Sequence, residues 1–83
     1  MIKNIRGRKS RLVRLKTATI KRFCEYYAIS PADLHRRMLE LDESCPCIDI
    51  VRDIITGKRV LIGLADAKVL ALALGINFHD IIY

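Results

Sequence analysis

The sequence predicts an all-α fold, a compact bundle of four to five short helices behind a basic N-terminal arm. Three observations predict it. Apolar residues recur at helical spacing, as in Ile20, Cys24 and Tyr27, or Leu34 and Met38. Residues suited to helix ends punctuate these runs, with Ser30-Pro31 and Asn77 at starts and Gly57 and Gly75 at stops. No stretch reads convincingly as a strand, and no repeat or low-complexity segment is visible beyond the arm. At 83 residues the chain makes one small domain, and a hydrophobic content of 52% marks it as folded, because disordered chains are poor in such residues.

The arm, residues 1–16, carries seven cations (Lys3, Arg6, Arg8, Lys9, Arg11, Arg14 and Lys16) and no acid. Residues 17–83 hold the other eight of fifteen cations against all nine acids, so the net charge of +6 comes from the arm. Like charges in such a run repel and favour an extended segment, often one that binds nucleic acid. Arg6, Arg8, Lys9, Arg11, Arg14 and Lys16 are therefore candidate phosphate contacts; the alternative is a solubilising tail. Val13 shares a helical face with Ile20, Cys24 and Tyr27, which lets the arm's last turn run into the first helix.

The domain proper spans residues 17–83. Thr17 or Thr19 caps a first helix that reaches about Ala28, with Ile20, Phe23, Cys24 and Tyr27 inward. Ser30-Pro31 opens the second, and Asp33 echoes a capping box while favouring the helix dipole. Leu34 and Met38 turn inward there, with Leu41 a further candidate. Ser44 and Pro46 start a third helix that runs to Thr56 and stops at Gly57. A fourth runs from Leu64 to Leu74, stopped by Gly75, and Asn77 caps a last turn from Phe78 to Tyr83.

Several classes are excluded. The apolar run after Val60 is broken by Asp66 and Lys68, whereas a membrane span needs about 20 mostly apolar residues. The N-terminus lacks the apolar run and cleavage site of a signal peptide, so a cytoplasmic protein is expected. Three cysteines, Cys24, Cys45 and Cys47, fit reduced thiols better than a disulfide framework. Cys45-Pro46-Cys47 with His35 or His79 lacks the second ligand pair of a zinc site, so no metal and no cofactor is expected. No catalytic constellation stands out, and the chain reads as a non-enzyme.

The run Ile20-Lys21-Arg22-Phe23 followed by Ile29-Ser30-Pro31-Ala32-Asp33-Leu34 resembles the first helix and the start of the second in lambda-repressor/Cro-like (XRE-type) helix-turn-helix domains. Val51-Arg52-Asp53-Ile54 and Gly57-Lys58-Arg59 are similar to the end of their recognition helix and the loop behind it. Leu64, Ala67, Leu70, Ala71, Leu74, Gly75 and Ile76 resemble their fourth helix and its stop. The resemblance covers about residues 19–82. It implies a bundle containing a helix-turn-helix, binding to double-stranded DNA, Lys58 and Arg59 near phosphates, and a recognition helix near Cys47–Thr56. Three features depart from the family. Pro31 stands where a glutamine is usual, His35 replaces the alanine after the helix 2 leucine, and the second-to-third helix connection is longer, with its excess around residues 39–46.

The third helix is an unusual reader. Ile48, Asp49, Ile50, Arg52 and Asp53 are its exposed candidates, and base readout favours Arg, Lys, Asn and Gln. Arg52 suits a guanine and Ile48 a thymine methyl, while Asp49 and Asp53 repel phosphates unless they pair with Arg52 or arm cations. The fourth helix has a second apolar stripe of Ala65, Val69, Leu72 and Ala73, joined by Ile81, Ile82 and Tyr83. A helix apolar all round is buried on both sides, which points to a homodimer through this patch. In the alternative, Leu12, Val13 and Leu15 fold back over it. Two functions follow: a small DNA-binding transcriptional regulator, or a helix-turn-helix-derived protein-interaction module, an inhibitor or adaptor, that no longer reads DNA.

Overall fold

A computed structural model of the chain describes residues 11–83. Its elements, in order, are strand β1 (Leu12–Arg14), helices α1 (Thr17–Tyr26), α2 (Pro31–Leu41) and α3 (Ile48–Thr56), strand β2 (Leu61–Gly63), helix α4 (Leu64–Leu74) and a 3-10 turn (Phe78–Asp80). The architecture is mostly helical, and the two strands correct the all-α expectation. They pair antiparallel, with Leu12 opposite Gly63, Val13 opposite Ile62 and Arg14 opposite Leu61. The tail flanks the other side of β1 through a bridge between Leu15 and Ile82. Three-residue strands are too short to show a period of two, and their partners lie far apart in sequence, so local pattern could not reveal them.

The bonds around β1 tie both ends of the described chain together. Leu15 N–H donates to the Val60 carbonyl and Leu64 N–H to the Arg11 carbonyl, each at 2.7 Å. On the other side Lys16 N–H donates to the Ile81 carbonyl at 2.7 Å and Tyr83 N–H to the Arg14 carbonyl at 3.0 Å. Residues 11–16 are therefore part of the folded unit, and the arm expected over 1–16 does not extend through them as a loose segment. Leu15 is buried, as are Ile62 and Ile81 around it. Val13 belongs to β1 and not to an extension of the first helix.

Helix ends follow local chemistry closely. Because the chain arrives extended, Lys16 and not Thr17 or Thr19 occupies the N-cap of α1, its carbonyl accepting from Thr19 and Ile20. The expected echo of a capping box in α2 is a complete one: Ser30 accepts from Asp33 N–H at 3.1 Å and Asp33 accepts from Ser30 N–H at 3.3 Å. Gly57 (φ 87°) and Gly75 (φ 77°) close α3 and α4 in the left-handed region, where glycine carries no Cβ penalty. Ala28 does the same work after α1 at φ 56° without that freedom.

The core collects Leu15, Ile20, Cys24, Ile29, Leu34, Met38, Val51, Ile54, Ile62, Ala67, Leu70, Ala71, Leu74 and Ile81. Two expected core residues lie outside it: Tyr27 is 58% exposed and Leu41 52%. Each follows the last inward position of its helix, Tyr27 as the C-cap of α1 and Leu41 as the final residue of α2.

Two stability outcomes follow. Leu15→Ala removes a buried side chain from the junction of β1 and the core, and lowers the unfolding free energy by about 2–5 kcal/mol in urea titrations. Ala28→Gly relieves the left-handed alanine and raises stability by up to about 1 kcal/mol, read as a higher thermal midpoint.

Candidate nucleic-acid interface

Pairing of β1 with β2 joins two basic segments that are distant in sequence. Arg14 lies opposite Leu61, and the Leu15–Val60 bond carries the same register on to set Lys16 beside Arg59. Arg14 and Lys16 thus lie toward the Lys58-Arg59 end of the pairing, while Arg11, whose carbonyl accepts from Leu64 N–H, lies at the other end. Residues 11–16 and 57–63 contain no acid. The Lys58-Arg59 turn is fixed by the end of α3, since both backbone N–H groups donate to the Asp53 carbonyl, at 2.8 and 3.1 Å. Beside it an open depression of about 280 Å³ is lined by Asp53, Lys58, Arg59, Val60 and Leu61. Arg11, Arg14, Lys58 and Arg59 are exposed, while Lys16 is half-buried with its Nζ 5.5 Å from the centre of the Tyr83 ring. Candidate contacts Arg6, Arg8 and Lys9 lie outside the described residues.

The exposed side of α3 carries Ile48, Asp49 and Arg52. The Arg52 guanidinium donates to Asp49 Oδ1 at 2.7 Å, one turn back along the helix. An exposed pair of this kind contributes only about 0.3–0.5 kcal/mol to stability, but it fixes the direction of the one cation on the helix. The Thr56 hydroxyl donates to the Arg52 and Asp53 carbonyls and so stays with its own helix.

The start of α2 is occupied by its own carboxylate. Asp33 receives the Arg36 guanidinium at 2.6 Å as well as the Ser30 N–H, and these bonds, Arg36 first and then Ser30, hold its carboxyl below the usual range. An anion arriving at this helix end would meet that negative charge. Between α2 and α3, the Ser44 N–H and hydroxyl donate to Asp42 Oδ1 at 3.0 and 2.8 Å, and Cys45 N–H donates to the Asp42 carbonyl at 3.1 Å. The connection between α2 and α3 is therefore a bonded turn over residues 42–47.

Cys47 is the exposed N-cap of α3, and Cys45 is half-buried against the core. Burial first, then the charges of Asp42 and Asp66, push the Cys45 thiol up; burial chiefly pushes Cys24 up. Among the described residues no group of three or more His, Cys, Asp or Glu side chains is placed to hold a metal ion. Nor is any described helix long and apolar enough to cross a membrane.

The expected partner face divides in two. Leu72 is 68% exposed, Tyr83 is exposed, and Val69 and Ile82 are half-buried. Ala73 and Ile81 are buried within the chain itself and cannot present a surface. The Ala73 carbonyl accepts from Arg37 of α2 at 3.4 Å, and Ile81 is drawn inward by the bond from Lys16. The segment Leu12, Val13 and Leu15 does fold back, but onto β2 and the tail. Local reading missed Leu61 and Leu12 as outward neighbours of the basic residues, because only the strand register brings them there. A search against family models, curated proteins and solved structures returns no match to this chain.

Two measurements probe this description. A thiol reagent labels Cys47 first, Cys45 more slowly and Cys24 only on unfolding; equal rates at all three contradict the burial described. A carboxyl held below its unfolded-state value, near 4 for aspartate, contributes stability above that value that is lost as pH falls through the folded one. Asp33→Asn therefore lowers the urea midpoint at neutral pH, and the gap to wild type narrows as pH falls below the ordinary aspartate range.

Proposed function

We propose that the chain is a small DNA-binding transcriptional regulator of the lambda-repressor/Cro-like kind that docks on duplex DNA through the basic strip of Arg11, Arg14, Lys16, Lys58 and Arg59. The carrying observation is that the β1–β2 pairing, continued by the Leu15–Val60 bond, brings Arg14 and Lys16 toward the Lys58-Arg59 turn with no acid in either segment, and sets Arg11 at the other end of the same sheet. Phosphate neutralisation by Lys and Arg is the main sequence-independent source of DNA affinity, and a rigid array loses less entropy on binding than a loose tail. In this reading α2, the turn over 42–47 and α3 serve as a helix-turn-helix with a long connection, and Arg6, Arg8 and Lys9 are further candidate phosphate contacts. The exposed Leu72, with Val69, Ile82 and Tyr83, supports a homodimer that presents two such strips to a two-fold site.

A second reading, a protein-interaction module, is favoured by one feature. The exposed side of α3 offers Ile48 and Asp49 while its arginine is held by Asp49. Salt separates the two readings. Fluorescence anisotropy of full-length protein on a duplex is expected to give a slope of log affinity on log salt of roughly −3 to −5, for about five phosphate contacts. The double variant Lys58→Glu, Arg59→Glu is expected to lower affinity at least about tenfold, with the fold retained by circular dichroism. Salt-independent binding, or none, speaks for the interaction module.

A further inference from the structure

Within the basic strip, Arg14 differs from the other cations in its surroundings. It lies on the central strand, with Leu61 of β2 on one side and Tyr83 on the other, the latter donating its N–H to the Arg14 carbonyl at 3.0 Å. Side chains two apart on a strand share a face, so Leu12, Arg14 and Lys16 form one row. Leu12 is 67% exposed, Leu61 42% and Tyr83 79%. Lys16 approaches the Tyr83 ring to 5.5 Å, which sets that ring on the same outer side. The sheet therefore turns outward an arginine framed by two leucines and a tyrosine, with lysine and arginine at the rim.

We infer that this outer sheet face, and not α3, meets the base edges of a duplex, with Arg14 as the reading residue. The inference rests on the DNA binding proposed above, and moves base reading from the helix-turn-helix to the sheet. The major groove admits a narrow antiparallel ribbon as well as a helix, an arginine fork matches guanine O6 and N7, and apolar side chains meet thymine methyls. Strands on both sides fix the Arg14 backbone, so its guanidinium projects from a rigid base. Lys58 and Arg59 at one end of the face and Arg11 at the other are then left for phosphates. Helix α3 has the opposite character: its arginine is bonded to Asp49 at 2.7 Å, and its approach to a groove carries the exposed Asp49 toward phosphates.

The test uses full-length protein, a duplex that it selects from a randomised library, and an unrelated duplex. Wild type, Arg14→Ala, Arg14→Lys and Arg52→Ala are compared by anisotropy, with thermal unfolding as the control for the fold. Both Arg14 variants are expected to reduce the preference for the selected duplex about tenfold or more. Arg14→Lys is expected to leave affinity for the unrelated duplex nearly unchanged, because it keeps the charge and loses only the fork. Arg52→Ala is expected to change the preference by less than about twofold, because the sheet face and not α3 meets the bases. Loss of preference in Arg52→Ala with the Arg14 variants unaffected overturns the inference and leaves DNA binding standing. A wild type with equal affinity for both duplexes also overturns it, reducing the strip to a phosphate anchor. Absence of binding to either duplex removes the DNA reading and the inference together.

Discussion

The fold depends on the backbone hydrogen bonds of one short strand. β1 bonds to the segment before α4 on one side and to the tail after the 3-10 turn on the other. Leu15 is seated in the core by these bonds, and Ile81 is held against the same interior from the opposite edge. Pairing residues 12–14 with 61–63 closes a loop over most of the chain, and such non-local contacts carry a large closure entropy. Packing of the helices between them must supply the favourable free energy that makes this closure stable. Stability of the sheet and of the helical core is for this reason a single cooperative property.

Helix termini decide how long each packing surface can be. Ser30 and Asp33 start α2, Gly57 and Gly75 stop α3 and α4, and Ala28 ends the first helical segment at a conformational cost. Arg37 links two helices at such a point, donating from α2 to a carbonyl in the last turn of α4, where a cation also favours the helix dipole. The Gly57 turn has a second consequence. By bonding the Lys58 and Arg59 N–H groups to Asp53, it leaves those two side chains outward at the mouth of β2.

Charge is distributed unevenly by the same geometry. Asp33 and Asp49 are engaged with arginines on their own helices. These exposed pairs add little to stability. Their effect is on the field, since Arg36 and Arg52 are neutralised locally while the cations of the sheet rim are not accompanied by any acid in their segments. A partner of negative charge is thereby drawn to the sheet side of the molecule more than to α3, whose sequence position had suggested a reader.

Much of the helical architecture was legible in the residues, because caps and stops act within a few positions of the helices they bound. Ser30-Pro31, Gly57, Gly75 and the spacing of Ile20, Cys24, Leu34 and Met38 set helix limits and inward faces through local sterics and hydrogen bonding. Tyr27, Leu41, Ala73 and Ile81 were misplaced, since which side of a helix end or tail is covered depends on what packs over it. The basic character of residues 1–16 was plain, but not that Arg14 and Lys16 lie toward the Lys58-Arg59 turn, with Leu12 and Leu61 outward on the same sheet. Composition and local pattern determined the helices and the excess of positive charge. Only the tertiary structure decided where that charge is displayed, because strand register is a contact between distant segments and leaves almost no trace in three-residue runs.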